Sequence, residues 1–434
     1  METQHNSPHI GVIGLGFVGL PLALLFAEKG FPVTGIDLDR NKIQMLSSGI
    51  SYIPDIKSEK IEECIKKGLF RTSDDYDIVR ELNVIIICVP TPLTPKHTPD
   101  LTYLDQVANE LYPRLKNGQL IILESSTYPG TTKEVLQPTL EKSALKIGQN
   151  LFIAYSPERI DPGNQQFTVD NIPKVVSGVT NNCKQRIEQL YRQVFKEVIA
   201  VSSTEVAELT KLLENSFRFV NISFMNEFAM LCDALHVDAW EVIHAASTKP
   251  YGYTPFYPGP GIGGHCIPVD PLYLYWKVAQ YGTDSKFIQI SQEVNLRITD
   301  YVVEQICNLL PSTSAVNKGN ILICGVTYKK DINDVRESPV FPIIRRLNQL
   351  GYCVSYHDPH VPELVLDQKR LTSMPLSYKN LQETDCVVIL TDHSNLPVPH
   401  ILRHAKLVYD TRNITNGLPS KARVVRLGGG DRRQ

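Results

Sequence analysis

No two cysteines in this chain stand as C-x-x-C, although it holds nine of them. That spacing marks zinc ribbons and dithiol redox centres. Its absence points to scattered, reduced thiols, as in a cytoplasmic protein, and away from a disulfide frame or a bound metal. No apolar run approaches the ~20 residues that span a bilayer. The opening METQHNSPHI has no apolar stretch of signal-peptide type. The expected protein is therefore cytoplasmic, without membrane insertion. Neither sign of charge dominates. The formal net charge is −2 over 434 residues, so no global field favours nucleic acid as a partner. No solenoid-type period repeats. What is present is 42% hydrophobic and 21% charged, a balance that supports sizeable cores. At roughly 150 residues per domain the length suits two or three domains.

Glycine is where the chain becomes specific. His9 to Gly14 reads as a short apolar strand, and Gly14-Leu-Gly-Phe-Val-Gly19 matches G-x-G-x-x-G. Leu20 to Lys29 continues as a helix, and Phe31 to Ile36 as a second strand that ends in Asp37. Each glycine has its own reason to be there. Gly14 permits the tight turn, Gly16 the approach of a pyrophosphate, and Gly19 the packing of helix on strand. The amides of the helix N-terminus favour the phosphates. Asp37, 18 positions beyond Gly19, is placed to bond the ribose hydroxyls and to repel the extra phosphate of NADP, which makes NAD the expected cofactor. Arg40 lies close by and reads either as a residue that accommodates such a phosphate or as a solvated helix position.

Further strands are expected at Asn83–Val89, ending in Pro90 and Thr91, at Gln119–Leu123, ending in Glu124-Ser-Ser-Thr127, and at Leu151–Tyr155, ending in Ser156-Pro-Glu-Arg159. Ligands of open α/β sheets bind at such carboxyl ends, so Thr127 and Glu158 are candidates for the reacting end, or else caps and turn residues. Ser202-Ser-Thr-Glu205 has the capping-box pattern, and a helix free of glycine and proline is expected from Glu205 to about Leu235. Lys211 and Asn215 share one of its faces, as a functional pair or as a solvated stripe.

A second motif stands apart from the first. Pro258-Gly-Pro-Gly-Ile-Gly-Gly-His-Cys-Ile-Pro-Val-Asp270 packs four glycines and three prolines into thirteen residues, which argues against helix or core strand. It carries a thiol, an imidazole and a carboxylate. Cys266 beside a potential base is suited to covalent catalysis at a carbonyl carbon, or it fills space as most cysteines do. The last third repeats the strand–helix alternation without a glycine fingerprint, beginning at Lys318–Gly325. Lys329, Lys330 and Arg336 form a cationic set suited to a diphosphate. His357-Asp-Pro-His360 reads as a surface turn rather than metal ligands, and Gly428–Gln434 as a disordered tail.

Taken in order, these motifs resemble the UDP-glucose/GDP-mannose dehydrogenases from about Ile10 to Arg412. The resemblance implies an α/β fold: two Rossmann-like, doubly wound domains joined by a long central helix and a helical dimerisation region. It divides the chain into an NAD-binding domain (1–200), a central helical linker (201–305) and a UDP-sugar-binding domain (306–434). It also implies a homodimer and the oxidation of a nucleotide-sugar alcohol to a carboxylate with two NAD. In that scheme Cys266 is the nucleophile, Lys211 the oxyanion partner with Asn215 its companion, and Asp270 a carboxylate near the water. Thr127 and Glu158 order that water. Cofactor contacts are expected at Gly14, Gly16, Phe17, Val18, Gly19, Asp37, Arg40, Pro90, Thr91, Thr127 and Lys330. Substrate contacts are expected at Glu158, Arg159, Lys211, Asn215, Tyr257, Gly263, Lys329 and Arg336, and no metal is expected. Pro162 stands where the UDP-glucose enzymes usually carry a second glutamate. Lys249 to Gly261 resembles the branch acting on UDP-N-acetylglucosamine, so that sugar is expected ahead of UDP-N-acetylgalactosamine, UDP-N-acetylmannosamine and UDP-glucose. A single-step hydroxyacid-type dehydrogenase and a non-catalytic NAD-binding regulator explain less of the chain.

Overall fold

The computed structural model describes residues 7–53, 56–159, 167–310 and 318–430. They form two compact units, Met1–Glu214 with Leu272–Thr283, and Asn215–Pro271 with Asp284–Gln434.

The first unit is built on eight strands: β1 (Ile10–Ile13), β2 (Val33–Ile36), β3 (Phe70–Ser73), β4 (Val84–Ile87), β5 (Gln119–Leu123), β6 (Leu151–Tyr155), β7 (Lys174–Gly178) and β8 (Val198–Ala200). Their order is β3-β2-β1-β4-β5-β6-β7-β8, parallel except where β7 runs against β6. The central strands are buried along their whole length, as near-continuous apolar runs must be when helices cover both faces. Period-two alternation divides them between two cores. Val12, Ile86 and Ile122 join the helix Gly19–Glu28 on one face, while Ile13, Ile85, Ile87 and Ile121 pack on the other.

The second unit carries a five-stranded parallel sheet of β9 (Asn320–Cys324), β10 (Cys353–His357), β13 (Cys386–Ile389), β14 (Leu407–Asp410) and β15 (Arg423–Arg426), ordered β10-β9-β13-β14-β15. A hairpin of β11 (Glu363–Leu366) and β12 (Lys369–Thr372) turns through Asp367 and Gln368, both at positive φ as a two-residue hairpin turn requires. The two sheets share a detail. The Leu15 amide donates to Asp37 Oδ2 (2.9 Å) and the Val326 amide to Asp358 Oδ2 (2.7 Å), each just after a positive-φ glycine, Gly14 or Gly325.

The long helix runs over Thr204–Leu235, 32 residues, and the division between the units falls within it. Its cap lies one residue beyond the expected one: Ser203 Oγ, not Ser202, accepts an amide, that of Val206 (3.3 Å). Two other expectations are corrected. Within the expected surface turn His357–His360, Pro359 is exposed but Asp358 is buried, its carboxylate accepting the amides of Val326, His360 and Val361. Gly428 and Gly430 are held rather than loose, since both amides donate to Asp233 (3.1 Å each). Residues 431–434 of that expected tail lie outside the described residues.

Candidate active site

In the first unit the turn after β1 is built for close approach. A Cβ on Gly14 would meet Cys88 O at 2.6 Å, and one on Gly19 would meet Gly14 O at 1.9 Å. A Cβ on Gly16 would meet nothing within 4 Å, so that side of its backbone faces open space, flanked by half-buried Phe17 and Val18. Asp37 stands at the end of β2, where it also accepts the Asp39 amide (3.0 Å). Arg40 is 88% exposed and pairs with Asp74 (3.2 Å), as a solvated helix residue does. Pro90 is exposed and Thr91 half-buried after β4. Thr91 Oγ1 donates to Ser126 O (2.6 Å), and Thr91 O accepts from the Tyr273 hydroxyl, so the loops after β4 and β5 are tied together.

The polar residues at the carboxyl ends of β5 and β6 are buried. Thr127 is 1% exposed, and its hydroxyl has no hydrogen-bond partner among the described residues. Glu158 Oε2 lies 3.0 Å from Lys211 Nζ, and both side chains are almost fully buried. Arg159 is engaged elsewhere, donating to Glu214 (2.6 Å) and to Pro173 O (2.7 Å). A second buried set was not visible in the sequence. Lys174 Nζ donates to Glu124 (2.6 Å), and the Tyr191 hydroxyl also donates to Glu124. Burial, then the Glu124 charge, pushes the Tyr191 phenol well up. Lys174 and Glu124 are 50 residues apart, and nothing in either local sequence signals the other.

In the second unit the stretch before Cys266 threads through contacts that only glycine permits. Gly259 N donates to Asn226 Oδ1 (2.9 Å), Ile262 N to Asn295 Oδ1 (2.7 Å) and Gly264 N to Arg336 O (3.1 Å). A Cβ on Gly263 would come within 2.7 Å of Glu337 O, and Gly264 sits at φ 87° against the Tyr328 ring. Cys266 is half-buried, with Sγ 3.3 Å from His265 Nε2. Its carbonyl accepts the amides of Val269 (3.1 Å) and Asp270 (2.8 Å), and Asp270 opens the helix Asp270–Ala279. The buried Asp270 carboxylate accepts from Asn215 Nδ2 (2.6 Å). The turn that carries the thiol is thereby anchored at the start of the helix whose first residue is Asp270, and a thiol beside an imidazole is the raw material for a covalent step at a carbonyl. Arg336 is exposed and gripped by Asp334 through two nitrogens (2.6 to 3.0 Å), with Lys329 half-buried and Lys330 exposed nearby in sequence. Tyr257 is exposed and stacks on Trp240, ring centroids 6.1 Å apart.

Three successive family profiles of one family cover the chain: its NAD binding domain at residues 8–195, its central domain at 205–297 and its UDP binding domain at 322–417. The chain belongs to the UDP-glucose/GDP-mannose dehydrogenase family. A UDP-N-acetyl-D-glucosamine 6-dehydrogenase of Pseudomonas aeruginosa is 36% identical over 81% of this chain and 83% of its own length. A UDP-N-acetyl-D-mannosamine dehydrogenase of Methanococcus maripaludis is 32% identical over 95% of this chain and 94% of its own. The solved structure of the UDP-D-ManNAc dehydrogenase of Pyrococcus horikoshii is 30% identical, with a TM-score of 0.86 over 98% of this chain and 100% of that one.

Membership gives the chain its cofactor, NAD, and its class, the NAD-dependent dehydrogenases of UDP-sugars. The turn fits that cofactor: open space over Gly16 admits a pyrophosphate, and Asp37 stands where ribose hydroxyls are bonded. None of the nine cysteines is in a disulfide, and no described helix is long and apolar enough to cross a membrane. Asp331, His360 and His393 each bring a ligand atom within 4.8 Å of the others. However, His393 Nδ1 accepts the Asp331 amide (3.0 Å), its Nε2 lies 3.1 Å from Asp358, and Asp331 accepts from Ser394 N and Oγ. These bonds tie together the loops after β9, β10 and β13, while His360 Nε2 has no hydrogen-bond partner among the described residues.

Proposed function

We propose that the chain oxidises UDP-N-acetyl-D-glucosamine at C6 to UDP-N-acetyl-D-glucosaminuronate, a four-electron reaction serving surface-polysaccharide synthesis. The carrying observation is Cys266, a half-buried thiol on a glycine-built turn whose carbonyl is bonded to the amide of Asp270. Bound NAD would supply the two-electron acceptor for each of two oxidations, held by the turn Gly14–Gly19 and by Asp37.

The chain's own residues do the rest. Oxidation of the C6 alcohol leaves an aldehyde, and Cys266 Sγ adds to its carbon as the carbonyl oxygen takes a proton. The thiohemiacetal keeps the aldehyde from escaping. Its oxidation leaves a thioester, and water breaks the carbon–sulfur bond to give the carboxylate and return the thiol. The Lys211 ammonium stabilises the oxyanion at each tetrahedral stage. Thr127 and Glu158 order the water and Glu158 takes its proton, while Asn215 and Asp270 hold the thiol turn. Lys329, Lys330 and Arg336 are assigned to the substrate diphosphate and Lys330 also to the cofactor, with Tyr257 and Gly263 along the sugar nucleotide.

The sugar assignment is supported by the Pseudomonas aeruginosa relative and by the segment Lys249–Gly261. UDP-N-acetyl-D-mannosamine is the second reading, favoured by the two mannosamine dehydrogenases named above. Pro162, which counts against a plain UDP-glucose assignment, lies outside the described residues, and UDP-glucose stays behind both N-acetylated sugars. A homodimer is also proposed. Phe217, Phe224, Leu231 and Leu235 recur at helical spacing, all more than half exposed, and Phe217 and Phe224 line a groove with Tyr251, Tyr253 and Phe256.

NADH formed from limiting sugar tests the reading. Two NADH per UDP-N-acetylglucosamine are expected, with little from UDP-glucose, and Cys266→Ala should cut turnover by roughly three orders of magnitude. Two NADH from the mannosamine or glucose nucleotide alone would keep the mechanism and move the substrate. One NADH per sugar would remove the thioester.

A further inference from the structure

We propose that Glu208 is a positioning residue: its buried carboxylate clamps the turn from Tyr128 to Thr132 and so fixes Thr127 at the reacting end. The inference rests on the function read above, in which Thr127 orders the water.

Glu208 lies on the first turns of the long helix and is wholly buried. Its two oxygens take three donors from the loop after β5. Oε2 accepts Gly130 N (2.6 Å), and Oε1 accepts Thr132 N (3.0 Å) and Thr132 Oγ1 (2.7 Å). Helical backbone begins at Thr131, whose side chain makes no capping bond. The early amides are capped instead from 76 residues away along the chain. The other edge of the same loop is tied by Ser125 Oγ to Val89 O (2.7 Å) and by Thr91 Oγ1 to Ser126 O. Thr127 stands between these two anchorages, nearly fully buried, its hydroxyl without a partner among the described residues. A loop fixed on both flanks of an uncommitted buried hydroxyl is pre-organised for something that hydroxyl must bind.

The clamp needs an anion, because three donors face two oxygens. A proton on Oε2, or the NH2 of an amide there, would confront the Gly130 amide, and a proton on Oε1 would force the Thr132 hydroxyl to turn from donor to acceptor. Burial pushes the Glu208 carboxyl up to about 7, the three donors oppose this, and the neighbouring Glu205 charge adds to the rise. Glu205 is itself paired with Lys133 on the loop side (2.8 Å). The other titratable groups near the turn include Tyr128, whose phenol is pushed up by burial first, Asp105, whose charge adds to that rise, and Glu134, bonded to Lys277. The turn is therefore held above about pH 7 and loosened below it, so turnover governed by this group rises with pH through that value.

The test uses the full chain with Glu208→Gln and, as a milder variant that keeps the carboxylate, Thr132→Val. Three readouts are taken: amide exchange of the 125–134 segment, kcat and KM between about pH 6 and pH 9, and circular dichroism to establish folding. Glu208→Gln is expected to speed exchange at the turn and to lower kcat by about tenfold to a hundredfold. KM for the UDP-sugar should stay within about twofold, and the rise of kcat through neutrality should vanish. Thr132→Val should give a smaller loss and keep that rise. Wild-type kcat in Glu208→Gln, or a lowered kcat with the pH rise and exchange unchanged, overturns the proposal. A wild-type chain that forms no NADH from any UDP-sugar sinks the functional reading instead, and amide exchange alone then judges the clamp.

Discussion

Lys211 and Glu158 are a pair whose partners cannot be removed singly without cost. Each charge has left water, and their 3.0 Å contact offsets part of what that desolvation costs. Removing one partner strands the other, at about 3–5 kcal/mol. Lys211→Met should therefore lower unfolding stability by that order in a denaturant titration. Adding Glu158→Gln should restore part of the loss, because the stranded carboxylate is gone; a double variant no more stable than the single would show that the pair is not the source. Both variants should also lose turnover, so stability and activity separate only in the double. Arg159 belongs to a different case. It was expected at the substrate, but its guanidinium is already bonded to Glu214 and to Pro173 O, and a sugar nucleotide would have to compete with both.

At the scale of elements, the turn Pro258–Asp270 shows what a glycine can be for. A methyl at Gly263 would meet a backbone oxygen, which cannot rotate away as a side chain can. Gly263→Ala should shift the loop carrying Cys266, costing about 1–3 kcal/mol and most of the turnover. Unchanged kcat in that variant would show that the turn tolerates displacement. This turn was legible in the sequence because glycine and proline act locally. So were β1, β4, β5 and β6, whose continuous apolar runs declare burial on both faces. Strands β3, β8 and β15 were not, because their residues are partly exposed and break the apolar run. The helix cap moved from Ser202 to Ser203 because adjacent serines offer the same hydroxyl one residue apart. Glu208 escaped for another reason: a carboxylate on a helix reads as solvated until its partners, 76 and 78 residues earlier, are known.

For the whole molecule, the exposed aromatic stripe is the feature a lone chain leaves unexplained. Phe217 and Phe224 are each more than half exposed and one heptad apart. If this face joins two copies, Phe224→Asp should convert a dimer into a monomer, as light scattering behind a sizing column would read. A wild-type monomer at micromolar concentration would end the dimer proposal. The sequence suggested a long helix here from the want of glycine and proline, but a face can be called bare only once the folded unit shows what does not cover it.

The stretch after β15 bears on how the protein is handled. Leu427 O accepts from the Trp240 indole, Gly428 O from the Ala239 amide, and the amides of Gly428 and Gly430 meet Asp233. Three glycines in a row look like material to trim for crystallisation or to extend with an affinity tag. Here they work as a clasp, and a cut ahead of Leu427 would leave the Asp233 carboxylate and the indole N–H without those bonds, so trimming this stretch is structural surgery.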